Sequence, residues 1–128
     1  MGAQVSGLAE LKADLRHGSD QCVEEVAKVV KKGAQNVKDD IRARWSGMRH
    51  APYLAAAVSY DGPSVDGTTV RTEVGPDKDR PQGALGNLLE YGSVNNAPRP
   101  AVVPAGDAEE PRLAQALEDL GAKLLGET

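Results

Sequence analysis

Residues 20–45, DQCVEEVAKVVKKGAQNVKDDIRARW, decide the fold. Apolar side chains recur at Val23, Val26 or Ala27, Val30, Ala34, Val37, Ile41 and Trp45. Steps of three and four residues bring such positions to one side only in a helix. Ser19 or Asp20 supplies a side-chain oxygen for the free N–H groups at its start. A helix from Asp20 to about Trp45 is roughly 40 Å long, enough to span a small domain. Gly33 inside it lowers helix propensity slightly, or lets another backbone approach. The opposite side carries Lys28, Lys31, Lys32, Lys38 and Arg42, the one basic stripe of the chain. Glu24, Glu25, Asp39 and Asp40 dilute it, and no aromatic residues interleave to stack bases. It therefore reads first as a solvated face and only second as a contact for phosphate or an acidic partner.

Before this helix, Val5, Leu8, Leu11 and Leu15 also follow helical spacing. They predict an N-terminal helix or arm over residues 1–18, stopped by Gly18.

After it, Gly47 to Pro52 breaks the helix. Leu54 to Tyr60 reads as a strand with Ala56, Val58 and Tyr60 on one side and Ala55, Ala57 and Ser59 on the other. Asp61 to Gly67 is dense in turn formers, and Thr68 to Val74 alternates again, Val70, Thr72 and Val74 against Arg71 and Glu73. The pair predicts a hairpin with one buried face. Residues 75–86 follow, in which Pro76-Asp77-Lys78-Asp79-Arg80-Pro81 has charge and two prolines but no apolar anchor. This segment is expected to be mobile, either as an ordinary connection or as a piece that folds on docking. Leu85 to Tyr91 predicts a short helical turn ended by Gly92 in a left-handed conformation. Pro98 and Pro100 hold the next segment extended, as an edge strand or a strap over the core.

A last helix lies between Pro104 and Leu125, with Leu113, Ala116 or Leu117, Leu120 and Leu124 on its apolar side. Asp107 and Glu110 resemble a capping box, which would put Pro111 in the first turn. Pro104 and Pro111 cannot both open one straight helix, so the start stays open. The expected architecture is a single α+β domain over 1–128: a long N-terminal helix packed on a small antiparallel β-sheet, with a C-terminal helix.

Composition narrows the function classes. The chain has 128 residues, 40% hydrophobic but only 3% aromatic, with no Phe. Its core must come from Ala, Val and Leu; such a core is thin, which favours stabilisation by partners. A net charge of −4 argues against general affinity for nucleic acid. Cys22 is the only cysteine, so an internal disulfide is excluded and a reducing cytosol is the natural place of synthesis. Neither a signal peptide nor an apolar run of membrane-spanning length is visible, which predicts a soluble product with no membrane partner.

Catalytic and metal chemistry find no constellation. His17 and His50 stand in different segments without a companion cysteine. Cys22 sits near the apolar side of the long helix and reads as a buried, inert thiol. Gly83-Ala84-Leu85-Gly86 lacks the Lys-Ser/Thr that a phosphate-cradling loop needs, and no serine sits in a nucleophile elbow. The expectation is a protein that is not an enzyme and takes no metal or cofactor.

One ordered string remains: Leu88-Leu89-Glu90-Tyr91-Gly92-Ser93, then Ala97-Pro98-Arg99-Pro100, then Val103-Pro104-Ala105. It resembles the C-terminal signature of a family of tail-component proteins encoded in the head–tail joining region of long-tailed phages (siphoviruses). That signature reads L-E-[YF]-G-[ST], A-P-x-P, hydrophobics, P-A and a helix. The resemblance extends from about Leu8 to Leu124 in element order and is specific from Leu88 to Ala105. Two departures stand out. Relatives often carry a Pro and then Thr-Gly before the first strand, where this chain has Trp45-Ser46-Gly47-Met48. They often have an aromatic after A-P-x-P, where this chain has Ala101.

The resemblance implies a structural virion protein at the neck or top of the tail, made in the host cytoplasm, which joins or completes the head–tail connection. It implies a ring, six-fold by analogy with that region, contacting copies of itself and the adjoining neck and tail proteins. DNA would pass through without specific binding. Leu89, Glu90, Tyr91, Gly92, Ser93, Pro98, Arg99, Pro100 and Pro104 are the motif and implied interface residues. Asp61, Asp66, Glu73, Asp77 and Asp79 are candidates to face the channel, where acidic groups would keep DNA from sticking. A tail terminator or head-closure ring is the alternative within this class. A small DNA-binding protein using the Lys28–Arg42 side is the alternative outside it.

Overall fold

In a computed structural model, which describes residues 8–14, 20–49, 51–67, 69–94 and 97–126, the protein is an α+β domain. The long helix α1 runs Asp20–Arg44. Its apolar stripe is buried as the spacing requires, from Val26 through Val30, Ala34, Val37 and Ile41 to Trp45. The helical bonding pattern continues one residue further through Trp45 N–H to the Ile41 carbonyl, and Gly47 at φ +73° then turns the chain away. The side-chain cap assigned to Ser19 or Asp20 lies outside what is described.

The sheet has three strands, β1 (Ala9–Asp14), β2 (Val58–Asp66) and β3 (Thr69–Pro76), in the antiparallel order β1-β3-β2. On β3, Val70, Thr72 and Val74 point into the core while Arg71 and Glu73 point out, as the alternation predicts. The hairpin turn is much tighter than expected. The segment from Asp61 to Asp66 belongs to β2 and pairs with β3 across an irregularity between Asp61 and Ser64, so the strands stay paired as far as Asp66 and Thr69. The irregularity needs Gly62: it sits at φ +94°, and an added Cβ would lie 3.0 Å from the Arg71 carbonyl oxygen. The Gly62–Pro63 peptide is cis.

Two sequence expectations are corrected here. Residues 9–14 form a strand, not part of an N-terminal helix. Leu8 and Leu11 fit a helical period, but Ala9, Leu11 and Ala13 also fit a period of two. The open edge of β3 favours the second reading: Ala9 to Asp14 run in register with Val74 to Thr69, alternate residues bond to β3, and Leu11 is fully buried. Val5, Leu15 and Gly18 lie outside the described residues. Likewise Leu54–Ala57 is a single helical turn, α2, rather than the start of β2. A short apolar run cannot choose between the two by periodicity; here Arg42, reaching across from α1, decides. Its Nη2 donates to the Val58 carbonyl at 2.8 Å and to the Ala56 carbonyl at 3.5 Å, satisfying oxygens where the turn meets the strand.

Residues 77–83 follow a defined course. Asp77 N–H donates to the Ala57 carbonyl, Arg80 N–H to the Asp77 carbonyl and Gly83 N–H to the Arg80 carbonyl. A Cβ on Gly83 would lie 1.7 Å from the Asp77 carbonyl oxygen, so glycine alone fits this crossing. A 3-10 turn, Gly83–Leu85, leads into the short helix α3 (Gly86–Tyr91).

The last helix, α4, runs Val102–Gly126, antiparallel to α1. Gly33 faces both β1 and α4: an added Cβ would stand 3.1 Å from Leu11 Cδ1 and 3.6 Å from Leu113 Cδ1. Side chains, not a second backbone, occupy the space it leaves. The start of α4 is also a correction. Pro104 lies in the first turn and Pro111 in the helix interior, so Asp107 and Glu110 are no capping box. The true cap comes from another part of the chain.

Candidate functional site

The cap is Glu90. It stands on α3, is only 4% exposed, and its carboxylate accepts three backbone hydrogen bonds at the start of α4. Oε1 accepts from Ala101 and Val102 N–H, both at 2.8 Å, and Oε2 from Val103 N–H at 3.0 Å. Pro104 has no N–H to satisfy, and Ala105 N–H reaches the Ala101 carbonyl at 2.9 Å. Every backbone donor from Ala101 to Ala105 is thus accounted for. The negative carboxylate also meets the positive end of the helix dipole.

The rest of the motif serves the same brace. Gly92 ends α3 at φ +79° with its N–H on the Leu88 carbonyl at 2.8 Å. The strap 97–100 lies between α3 and α1. Arg99 N–H donates to the Leu89 carbonyl, and the Arg99 carbonyl accepts from Trp45 Nε1 at 2.9 Å. Pro98 and Pro100 keep the strap extended; both are exposed, whereas Ala101 after them is fully buried. Glu90, Gly92, Pro98, Pro100 and Pro104 therefore explain themselves as one structural device.

What this device presents outward is apolar. Leu88 and Tyr91, three residues apart on α3, are 54% and 52% exposed, and Val94 beyond them is fully exposed. Ser93 lies at the same edge. A groove of about 720 Å³ runs beside them, floored by Met48, Ala51, Leu85, Leu89 and Pro98. Arg49 and Arg99 stand on its rim with exposed side chains that make no ion pair among the described residues.

Of the five acidic candidates, four come together. Asp61, Glu73, Asp77 and Asp79 line a concavity of about 520 Å³ at one end of the outer sheet face, with Lys78 and Tyr60. Asp61 pairs across β2–β3 with Glu73, and Glu73 pairs across β1–β3 with Glu10, which sets three carboxylates in a row. Like charges opposite one another on a sheet oppose folding. Asp77 is partly neutralised, its Oδ2 3.5 Å from Arg80 Nε. Asp66 does not join them: it sits at the far end of the hairpin, 3.4 Å from Arg71 Nη2. Glu10 escaped the sequence reading because residues 9–14 were assigned to a helix; the outward alternation of Glu10 and Lys12 was the available signal.

The basic stripe of α1 is not one surface. Lys28 pairs with Glu25 at 3.2 Å, Lys38 Nζ lies 5.6 Å from the centre of the Tyr60 ring, and Arg42 is committed to backbone carbonyls. Lys31 and Lys32 remain as exposed cations. Sequence reasoning also missed Glu109, a buried carboxylate between α1 and α4 that accepts from Asn36 Nδ2 at 3.2 Å. Nothing in the α4 pattern distinguished it from exposed Glu110. Cys22 is half-buried, and His17 and His50 lie outside the described residues. Among the described residues no group of three His, Cys, Asp or Glu side chains could hold a metal ion, and no helix is long and apolar enough to cross a membrane.

Compared with known protein families, curated proteins and solved structures, the chain has no match.

Proposed function

We propose that this protein is a structural component of a tailed-phage virion. It acts at the neck or the top of the tail, where it joins or completes the head–tail connection as a ring. One observation carries the reading. The string L-E-Y-G-S, A-P-R-P, V-P-A is a single brace around Glu90, and this brace turns Leu88, Tyr91 and Val94 toward solvent. A motif that both builds a rigid corner and exposes large apolar side chains there suits a protein that works by being packed against. The core supports the same reading: apart from Ile41 and Trp45 it is built from Ala, Val and Leu, and a small domain with so few large buried side chains gains from binding partners. The net charge of −4 and the broken-up lysine stripe support DNA passing the protein without being held.

Deleting the gene from its parent phage and imaging the lysate by electron microscopy tests this. DNA-filled heads beside unattached or abnormal tails are expected. Intact infectious particles would overturn the proposal.

A further inference from the structure

We infer that the groove beside α3 is the seat for a second copy of this chain, and that the copy's acidic concavity is what docks there. The inference rests on the ring reading above and names the contact that would build it.

Charge complementarity carries it. The groove has an apolar floor and two exposed cations, Arg49 and Arg99, on its rim, and no acidic residue lines it. The concavity holds Asp61, Glu73, Asp77 and Asp79 against a single cation, Lys78. Within the chain, Arg49, Arg99, Asp61, Glu73 and Asp79 make no ion pair among the described residues, so both surfaces keep their charge for a neighbour. Glu10 is offset by Lys12 at 3.7 Å, but Glu73 and Asp61 stand opposite one another with no cation paired to either among the described residues, and cations brought by a docking surface relieve their repulsion. Leu88, exposed at the groove edge, adds apolar area that association would remove from water.

The two surfaces share no residue. A contact between different patches of identical chains is heterologous, and it closes into a ring when the rotation per copy divides a full turn. This assigns Asp61, Glu73 and Asp79 to the seam between subunits rather than to a channel wall.

Reciprocal charge reversal in the full-length protein, read by sedimentation up to millimolar concentration, tests the seam. Arg49→Glu with Arg99→Glu makes both surfaces acidic; Asp61→Lys with Asp79→Lys makes both basic. Each variant alone should associate about tenfold or more weakly than wild type. An equal mixture of the two should recover association, because each variant's groove then faces an opposite concavity. Circular dichroism checks that the variants are folded; should a reversal unfold the chain, Arg49→Gln with Arg99→Gln gives a smaller loss in the same direction. Wild type that associates, with reversals that leave it unchanged or a mixture that fails to recover, overturns the seam but leaves the ring. Wild type that stays monomeric throughout overturns both.

Discussion

One helix end and one helix start in this protein are held in opposite ways. The C-terminal end of α1 is secured by its own sequence: Ile41 and Trp45 continue the apolar stripe into the core, Arg44 pairs with Asp40 one turn back at 2.7 Å, and Gly47 turns the chain away. The N-terminal end of α4 has almost nothing local to secure it. Its donors depend on a carboxylate twelve residues before Val102, carried on a different helix. Local determination spreads stability over many small contributions. Remote determination concentrates it in one side chain and makes the two elements fold together.

Mutations can break this comparison. Trp45 joins both regions, as the largest fully buried side chain and as the donor to the strap, so Trp45→Ala should cost the most, about 3–5 kcal/mol in denaturant unfolding. Glu90→Ala should come next at about 3 kcal/mol, since it strips three buried or half-buried donors of their acceptor at once. A loss near 1 kcal/mol, that of an ordinary surface cap, would mean that water replaces the carboxylate and that α4 does not depend on α3. Glu90→Gln sharpens the point. It keeps one acceptor oxygen but turns an amide toward a donor, and should cost about 1–2 kcal/mol, between wild type and the alanine variant.

Pro111 offers a gain. It is exposed inside α4 and cannot donate to the Asp107 carbonyl, so Pro111→Ala should raise the melting temperature, with a stabilisation of about 1 kcal/mol after the added freedom of the unfolded chain is subtracted. The smallest effect belongs to the exposed corner. Leu88→Ser with Tyr91→Ser should change monomer stability by about 0.5 kcal/mol or less. In the parent phage, by contrast, the pair should reduce the yield of joined particles. Wild-type yield from that double variant would detach the corner from the proposed assembly role.

How much was legible varied with the range of the interactions involved. The stripe from Val26 to Trp45 and the alternation of Val70, Thr72 and Val74 could be read directly, because each element buries one face and its period survives in the residues. Residues 9–14 were misread because Leu8 and Leu11 satisfy a helical period while Ala9, Leu11 and Ala13 satisfy a strand's. The strand wins through pairing with β3, some sixty residues later. The turn formers from Asp61 to Gly67 announced a break that the structure absorbs as an irregularity within β2. Of the candidate site, the motif around Glu90 was visible as a string, but its use as a brace was not. Four of the five acidic candidates do share a concavity, although only their signs and their loop or strand positions suggested it.

By itself the sequence determined that a long amphipathic helix covers a small antiparallel sheet and that a second helix closes the chain, because hydrophobic periodicity is a property of neighbouring residues. Only the tertiary structure decided that residues 9–14 pair with β3, that α4 begins at Val102, and that Glu90 holds it there. The physical reason is the same in each case. Buried backbone N–H and C=O groups must find partners, and when those partners lie far along the chain, local patterns carry no record of which ones they will be.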